Sequence, residues 1–363
     1  MSDTRVVIFA GGVGTRMWPL SRKSTPKQFE KIVGDKSTLQ LAIERIQPEI
    51  KNENIFISTG EQYRSLVSEQ LSDIPKENII GEPEMRDVAP AVGYLMAILA
   101  KSDPWGPVAI LWSDHLVNNV ESFKSVISTG ADYIREHKEV FVFLGQKARF
   151  PNQNLGWIEQ GEKIEERNGF PVHKFVSWHY RPDLDSAKEY FAGGKHSWNP
   201  GYFLVAPQFA LDQYKKHAPV MYEKLMLLQE SYGQTNHQEV LNKIYPTLEK
   251  ISFDDAVLTK TEADKAVVLT VDLGWSDIGT WEALKEAIQA DPTANITQGN
   301  VEAHQTNNSV VYNYTNQLVA TVGLEGMVVV VTPDVVMVAP QEKIPEVKNM
   351  LAKFKGTDKE QYT

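Results

Sequence analysis

Residues 6–29 read VVIFAGGVGTRMWPLSRKSTPKQF. A short apolar run stops at Gly11 and Gly12. Gly14, Thr15 and Arg16 follow, and Lys27 comes after a long irregular stretch. Glycines placed directly after a buried strand let backbone N–H groups approach a ligand closely and form a nest for an anion. Arg16 offers a planar fork to phosphate oxygens and Lys27 a mobile point charge. The chemistry suited to such a set is phosphate binding, although the glycines alone also suit a plain tight turn. Neither familiar phosphate loop fits. No lysine follows the glycines at the Walker spacing. Met17 stands where the dinucleotide fingerprint needs its third glycine, which excludes a dinucleotide-dependent dehydrogenase.

Two carboxylates stand where other strand-like runs end: Asp114 in AILWSD and Asp277 in VDLGWSD. A Ser-Asp pair at such a place also suits a strand-end turn or a helix N-cap. His115, beside Asp114, is either a ligand contact or a satisfied structural histidine. Arg86 precedes an apolar helical run and suits either a base or phosphate contact or a surface ion pair.

The elements that must position these groups follow from hydrophobic periodicity. Residues 6–10 form a continuous apolar run, as a strand buried on both faces does. Strands are also expected at 54–58, 79–80, 107–114 and 140–145. Helices are expected from Ser37 or Thr38 to about 50, at 88–100 and at about 120–135. This alternation means an open α/β sheet, Rossmann-like, with ligands at the carboxyl ends of its strands. The middle is less regular: strands in GWIEQG, HKFVSW and GYFLVA, and helices at 183–192 and 208–231. A strand over 266–277 and a helix over 278–290 close this part. From Val301 to Ala339 the chain is rich in valine, in short runs broken by Asn, Gly and Pro. That predicts a small C-terminal β domain, β-helix-like, with a helix at about 344–354. No clean internal period is visible. The expected division is a domain over 1–290 and a β-rich domain over 291–363.

Composition limits the function. At 363 residues two domains are expected. A formal net charge of −10 argues against non-specific nucleic-acid binding. There is no cysteine, so disulfides, thiolate-bound zinc and thiol catalysis are excluded. No run reaches the ~18 apolar residues of a membrane span, and no signal pattern opens the chain. A cytoplasmic protein without nucleic-acid or membrane partners is expected. The Val-rich tail, with short β-runs whose edges invite pairing, is a candidate surface for a homodimer.

AGGVGTRMWPLSRKSTPKQF resembles the signature of the sugar-1-phosphate nucleotidylyltransferases. Its WPLSR and PKQF parts are similar to the mannose-1-phosphate guanylyltransferases of the short bacterial type. RDVAPAV (86–92), WSDHLV (112–117), WNPGYFL (198–204), ISFDDAVL (251–258) and GWSDIGTWEAL (274–284) fall in the family's order, so the resemblance covers essentially the whole chain. It implies transfer of GMP from GTP to mannose-1-phosphate, giving GDP-mannose and pyrophosphate with Mg²⁺ as cofactor. It also implies roles for residues. Arg16, Lys27 and Asp114 are catalytic. Gly11, Gly12, Gly14, Thr15, Arg16, Lys27, Arg86 and Pro90 bind nucleotide. Gly156, Arg181, Asn199 and Gly201 bind the sugar phosphate, and Asp114 and Asp277 hold the metal.

The chain departs from the family pattern in three places. FVSWHYRPD (175–183) stands where F-V-E-K-P is usual, so the lysine that reaches the sugar phosphate is missing. Arg181 precedes the proline and can take the cationic role, with a planar fork and a different reach. Asp87-Val88 replaces Asn-Thr at the helix start, and Thr259 stands where a glutamate often does. The changes fall on the sugar and base sides. Another hexose- or heptose-1-phosphate, or another nucleoside triphosphate, is the alternative within this chemistry. A non-catalytic regulator that binds nucleotide sugar is the alternative of another class, and Arg16, Lys27, Asp114 and Asp277 argue against it.

Overall fold

The structure is a computed structural model. It describes residues 3–12, 14–289, 291 and 293–363, with Thr15 described by its backbone only. The expected nucleotide contact of the Thr15 side chain therefore lies outside the described residues, as does residue 290 at the expected domain boundary. By compactness the chain forms two units. One comprises Met1–Ala10, Ile43–Trp112 and Asn118–Leu273, and the other Gly11–Ala42, Ser113–Val117 and Gly274–Thr363.

The first unit is built on a ten-stranded sheet. Its order is His196–Trp198, Gly156–Arg167, Phe170–Tyr180, Ala266–Val271, Phe141–Gln146, Phe203–Val205, Val108–Trp112, Arg5–Phe9, Ile55–Gly60 and Ile79–Glu82. Arg5–Phe9 runs parallel to both neighbours, and Phe9 lies opposite Trp112. Phe203–Val205 runs antiparallel to the strands on either side of it, so the sheet is mixed. Val6, Val7 and Ile8 are fully buried, as a parallel strand covered on both faces must be. The helix Val88–Ala100 is apolar all round and buried throughout after its first residue. Asp87 caps it by accepting a hydrogen bond from the Val88 N–H at 2.8 Å.

The second unit has one large apolar cluster. Met17, Trp18 and Leu20 from the first loop pack there with Ile278, Trp281 and Leu284, and with Val310, Val328, Val347 and Leu351 from the tail. In the tail, Ile296–Gln298, Val310–Asn313 and Met327–Val331 stack in parallel, and Val301–His304 stacks on Val319–Val322 to make a second face. This is a β-helix-like coil. Its turns differ in length, which is why the sequence shows no period. The tail also holds the first loop. The Trp18 indole N–H donates to the Tyr362 carbonyl at 2.7 Å, and Arg22 grips Asp334 with both nitrogens at 2.6 and 2.7 Å.

The bond from Arg22 is the main reason that the Asp334 carboxyl is held down to about 2. A folded value below the unfolded ~3.9 stabilises the fold above that pH, and the contribution is lost as pH falls toward the folded value. Asp334 is 45% exposed, so solvent screening limits the pair to ~1 kcal/mol or less. Asp334→Asn is therefore expected to melt below the parent at pH 6 and to approach it at pH 3. An unchanged difference at the two values would show that the pair is not linked to folding.

Several expected elements end differently. The helix expected over 208–231 is two helices, Pro207–His217 and Pro219–Ser231, because Pro219 cannot donate a helical hydrogen bond. A further helix, His237–Ile244, follows. The strand expected over 107–114 stops at Trp112, and Asp114 sits in the turn beyond it. The strand over 266–277 is two, Ala266–Val271 and Trp275–Ser276. The next helix opens at Trp281, capped by Thr280, so Asp277 is not a helix cap. The closing helix is split into a 3₁₀ turn, Gln341–Glu346, which contains Pro345, and an α-helix, Val347–Ala352.

Candidate functional site

Lys27 is the centre of the second unit's polar cluster. It opens the short 3₁₀ turn Lys27–Phe29 behind Pro26, and its backbone N–H donates to the Ser21 hydroxyl at 3.1 Å. Its side chain is only 9% exposed. The stem lies against Gly14, where a Cβ would come within 3.1 Å of the Lys27 Cδ. That contact gives Gly14 a physical reason beyond turn formation. Gly12 has φ +96°, a left-handed conformation that favours glycine. The Lys27 ammonium reaches Asp114 Oδ2 at 3.0 Å and the carbonyls of Asp277 and Ile278 at 3.4 Å each.

Asp114 and Asp277 approach this ammonium because their segments pair. Trp275–Ser276 runs antiparallel to Leu116–Val117, with Ser276 opposite Leu116. One step further along the ladder sets Asp277 near His115, the neighbour of Asp114. His115 packs edge-on against Trp275 at 5.1 Å, and its Nε2 lies 3.8 Å from Asp114 Oδ1. Desolvation pushes the Asp114 carboxyl up, but Lys27 and His115 outweigh it and hold the group below its ordinary value. Asp114 is thus ionised at neutral pH, as a carboxyl group that binds a metal must be.

Arg16 is exposed, and its guanidinium lies over Gly279. A Cβ at Gly279 would come within 2.9 Å of Arg16 Nη2 and 3.3 Å of Asp277 Oδ2. Gly279 and Ser21 therefore shape the site without having been expected to. The Gly two places after Asp277, and the Ser within WPLS, were the available signals. Gly11 is exposed with open space around its α-carbon.

The first unit gathers a second group. The Asn199 N–H donates to the Gly156 carbonyl at 2.8 Å, and the Gly201 N–H donates to Asn199 Oδ1 at 2.8 Å. Gly201 has φ +75°, and a Cβ there would lie 2.6 Å from Trp112 Nε1, so a side chain is excluded on both grounds. The Trp112 indole N–H donates to the Gly201 carbonyl at 3.0 Å. Arg181 follows Tyr180, which pairs with Gly156. It is exposed, has φ +46°, and its guanidinium lies 5.1 Å from the centre of the Tyr180 ring. Arg86 forms an ion pair with Glu84 at 3.1 Å. Its Nε is buried without a hydrogen-bond partner among the described residues. Pro90 is buried in the first turn of Val88–Ala100.

The structure thus brings Gly14, Arg16, Lys27, Asp114 and Asp277 together in the second unit, and Gly156, Asn199 and Gly201 together in the first. The donor chemistry of the first set fits a hard divalent cation. It offers two carboxylates, and Mg²⁺ is held by one or two carboxylates with phosphate oxygens and water completing its shell.

A chain with a glycine-rich loop, two carboxylates just beyond strands, a mixed sheet and a C-terminal β-coil has close parallels. Residues 5–294 match the nucleotidyl transferase family, and residues 299–354 match the MannoseP isomerase/GMP-like beta-helix domain. The chain belongs to the nucleotidyl transferase family. Among its relatives is the mannose-1-phosphate guanylyltransferase of Escherichia coli K12, 34% identical over 369 residues, covering 98% of this chain and 74% of that one. Mannose-1-phosphate guanylyltransferase ManC of Salmonella typhimurium LT2 is 34% identical over 364 residues, with 98% and 74% covered. A Thermus thermophilus crystal structure, described as a mannose-1-phosphate geranyltransferase, superposes with a TM-score of 0.85 at 28% identity, covering 98% of this chain and 100% of that one. The family acts on nucleotide and sugar-phosphate substrates and generally uses a divalent metal. No helix among the described residues is long and apolar enough to cross a membrane.

Proposed function

We propose that this chain transfers GMP from GTP to mannose-1-phosphate, releasing pyrophosphate and forming GDP-mannose. The observation that carries the proposal is the convergence of Lys27, Asp114 and Asp277, in a chain whose relatives include named mannose-1-phosphate guanylyltransferases. Residues 1–290 would form the catalytic domain and 291–363 the β-rich domain.

A phosphate oxygen of the sugar-1-phosphate attacks the α-phosphorus of GTP. The bond from that phosphorus to the bridging oxygen of the β-phosphate breaks, and pyrophosphate leaves with the electron pair. The attacking oxygen is already ionised, so no general base is needed. The protein's contribution is in-line positioning and neutralisation of charge. Asp114 and Asp277 would hold Mg²⁺, which supplies charge neutralisation on the reacting phosphates. Gly11, Gly12, Gly14, Thr15 and Arg16 would cradle the triphosphate, with Arg86 and Pro90 toward the base. Lys27 now rests on Asp114. It would release that carboxylate as it turns to the phosphates, exchanging one anionic partner for another. Asn199, Gly201 and Gly156 would receive the sugar, and Arg181 the sugar phosphate in place of the missing lysine.

Arg181 is exposed and packs on Tyr180, so its removal should leave the fold intact. Arg181→Ala is expected to raise KM for mannose-1-phosphate about ten-fold or more, the scale of one charge-assisted bond, with KM for GTP unchanged. An unchanged KM for the sugar phosphate would exclude Arg181 from that role.

A cytoplasmic location and self-association belong to the proposal. Leu318, Val322, Val336 and Val338 of the tail are each more than half exposed, which supports pairing of two copies there. The test of the function is pyrophosphate release with Mg²⁺ across a panel of nucleoside triphosphates and sugar-1-phosphates. GTP with mannose-1-phosphate should give the highest kcat/KM. A preference for another acceptor would overturn the specific reading, and no release with any pair would overturn the enzyme reading.

A further inference from the structure

We propose that Glu159, His179 and His196 form a binding site for one transition-metal ion of the zinc class. The three residues lie on neighbouring strands at one edge of the ten-stranded sheet, Gly156–Arg167, Phe170–Tyr180 and His196–Trp198. The strand register explains their meeting. Glu159 is opposite His196 on one side and Ser177 on the other. His179 is two residues beyond Ser177 and so points from the same face.

The ligand atoms are already close. One donor atom from each residue lies within 4.8 Å of the other two. Glu159 Oε2 and His179 Nε2 are 3.3 Å apart. Bonds of ~2.0–2.1 Å from a tetrahedral zinc ion set neighbouring ligands ~3.3 Å apart, so this pair needs no rearrangement. Nδ1 of His196 is buried and has no hydrogen-bond partner among the described residues, a cost that coordination would remove. Outer partners are also in place. The Ser177 hydroxyl donates to Glu159 Oε2 at 2.7 Å, and the Tyr190 hydroxyl lies 3.2 Å from His179 Nδ1. A hydroxyl on the far nitrogen fixes the ring so that Nε2 faces the ion. The Tyr190 ring stacks on His196 at 4.2 Å and closes the cluster from the helix Leu184–Gly193. Side chains of Glu159 and His179 are about one-third exposed, which gives an ion a path in.

Two imidazoles and one carboxylate suit zinc, cobalt or nickel rather than magnesium, so this ion is chemically distinct from the Mg²⁺ of the proposed reaction. Three protein ligands leave one position for water or another small ligand. His179 belongs to FVSWHYRPD, the stretch in which this chain departs from the usual F-V-E-K-P. The departure that removes a lysine therefore supplies a metal ligand. An ion here would tie together the strand that opens with Gly156 and the two strands that end just before Arg181 and Asn199, each within three residues of a ligand.

The test is a Co²⁺ titration of chelator-treated, untagged protein, followed by its visible ligand-field absorption. The expected result is one Co²⁺ per chain, displaced by Zn²⁺ and not by excess Mg²⁺. Glu159→Gln keeps the shape and the Ser177 bond, and is expected to weaken binding by ~10–100-fold or more, with His179→Ala and His196→Ala losing it. Circular dichroism of each variant would show that the fold persists. Absence of ligand-field absorption in the parent protein, or parent-like binding by the folded His179→Ala/His196→Ala double variant, would overturn the proposal.

Discussion

Asp277→Asn is expected to lower kcat by about 10³-fold while leaving the melting temperature within ~2 °C of the parent. The two halves of this expectation have separate physical grounds. Among the described residues the Asp277 side chain accepts one long bond, from the Gly279 N–H at 3.5 Å, which contributes little to folding. The contact with Lys27 uses the Asp277 backbone carbonyl, and the substitution leaves it in place. What would be lost is the anionic ligand proposed for the metal, and an amide oxygen is a far weaker one for a hard divalent cation. Asp114→Asn is expected to show the same kinetic loss with some loss of stability, because it also removes the charged partner of the mostly buried Lys27. Raised Mg²⁺ should partly restore Asp277→Asn if affinity for the ion is what fell. Near-parent activity in either variant, measured by pyrophosphate release at saturating substrates, would show that the metal lies elsewhere.

Lys27→Met should cost about 10²–10³-fold in kcat, the usual scale for one preorganised charge on a reacting phosphate. Methionine keeps the unbranched stem that packs on Gly14 and removes only the ammonium. Lys27→Arg should not restore the rate. Its planar fork would need room beside Gly14, where the lysine stem already leaves no space for a Cβ, and beside Asp114 at 3.0 Å. A fully active Lys27→Arg variant would mean that any cation suffices and that the packing around Gly14 is incidental.

The parallel core strands were legible because they are continuous β-branched runs ended by glycine or by Ser-Asp. Arg5–Phe9, Ile55–Gly60, Val108–Trp112 and Phe141–Gln146 all lie where such runs fall. The long hairpin Gly156–Arg167 with Phe170–Tyr180 was only partly visible, since its outer half is exposed and charged and lacks an apolar face. The break at Pro219 was local information overridden by the apolar period on either side. Asp114 and Asp277 could be singled out by type and by position at strand ends, and Lys27 by its place behind Pro26 after the glycine-rich loop. Their approach to one ammonium could not, because it depends on the two-residue ladder between Trp275–Ser276 and Leu116–Val117, which is too short to leave a pattern. The cluster of Glu159, His179 and His196 was invisible for the same reason. Three single residues on three strands meet only through register.

The proposed activity is transfer of GMP to mannose-1-phosphate at the centre formed by Lys27, Asp114 and Asp277. Its most direct test is incubation with Mg²⁺, mannose-1-phosphate and GTP labelled in the α-phosphate, for the parent and for Asp277→Asn. In the parent, label should enter GDP-mannose one for one with pyrophosphate released, and both should fall together in the variant. Pyrophosphate without labelled GDP-mannose in the parent, or equal transfer by the variant, would contradict the account.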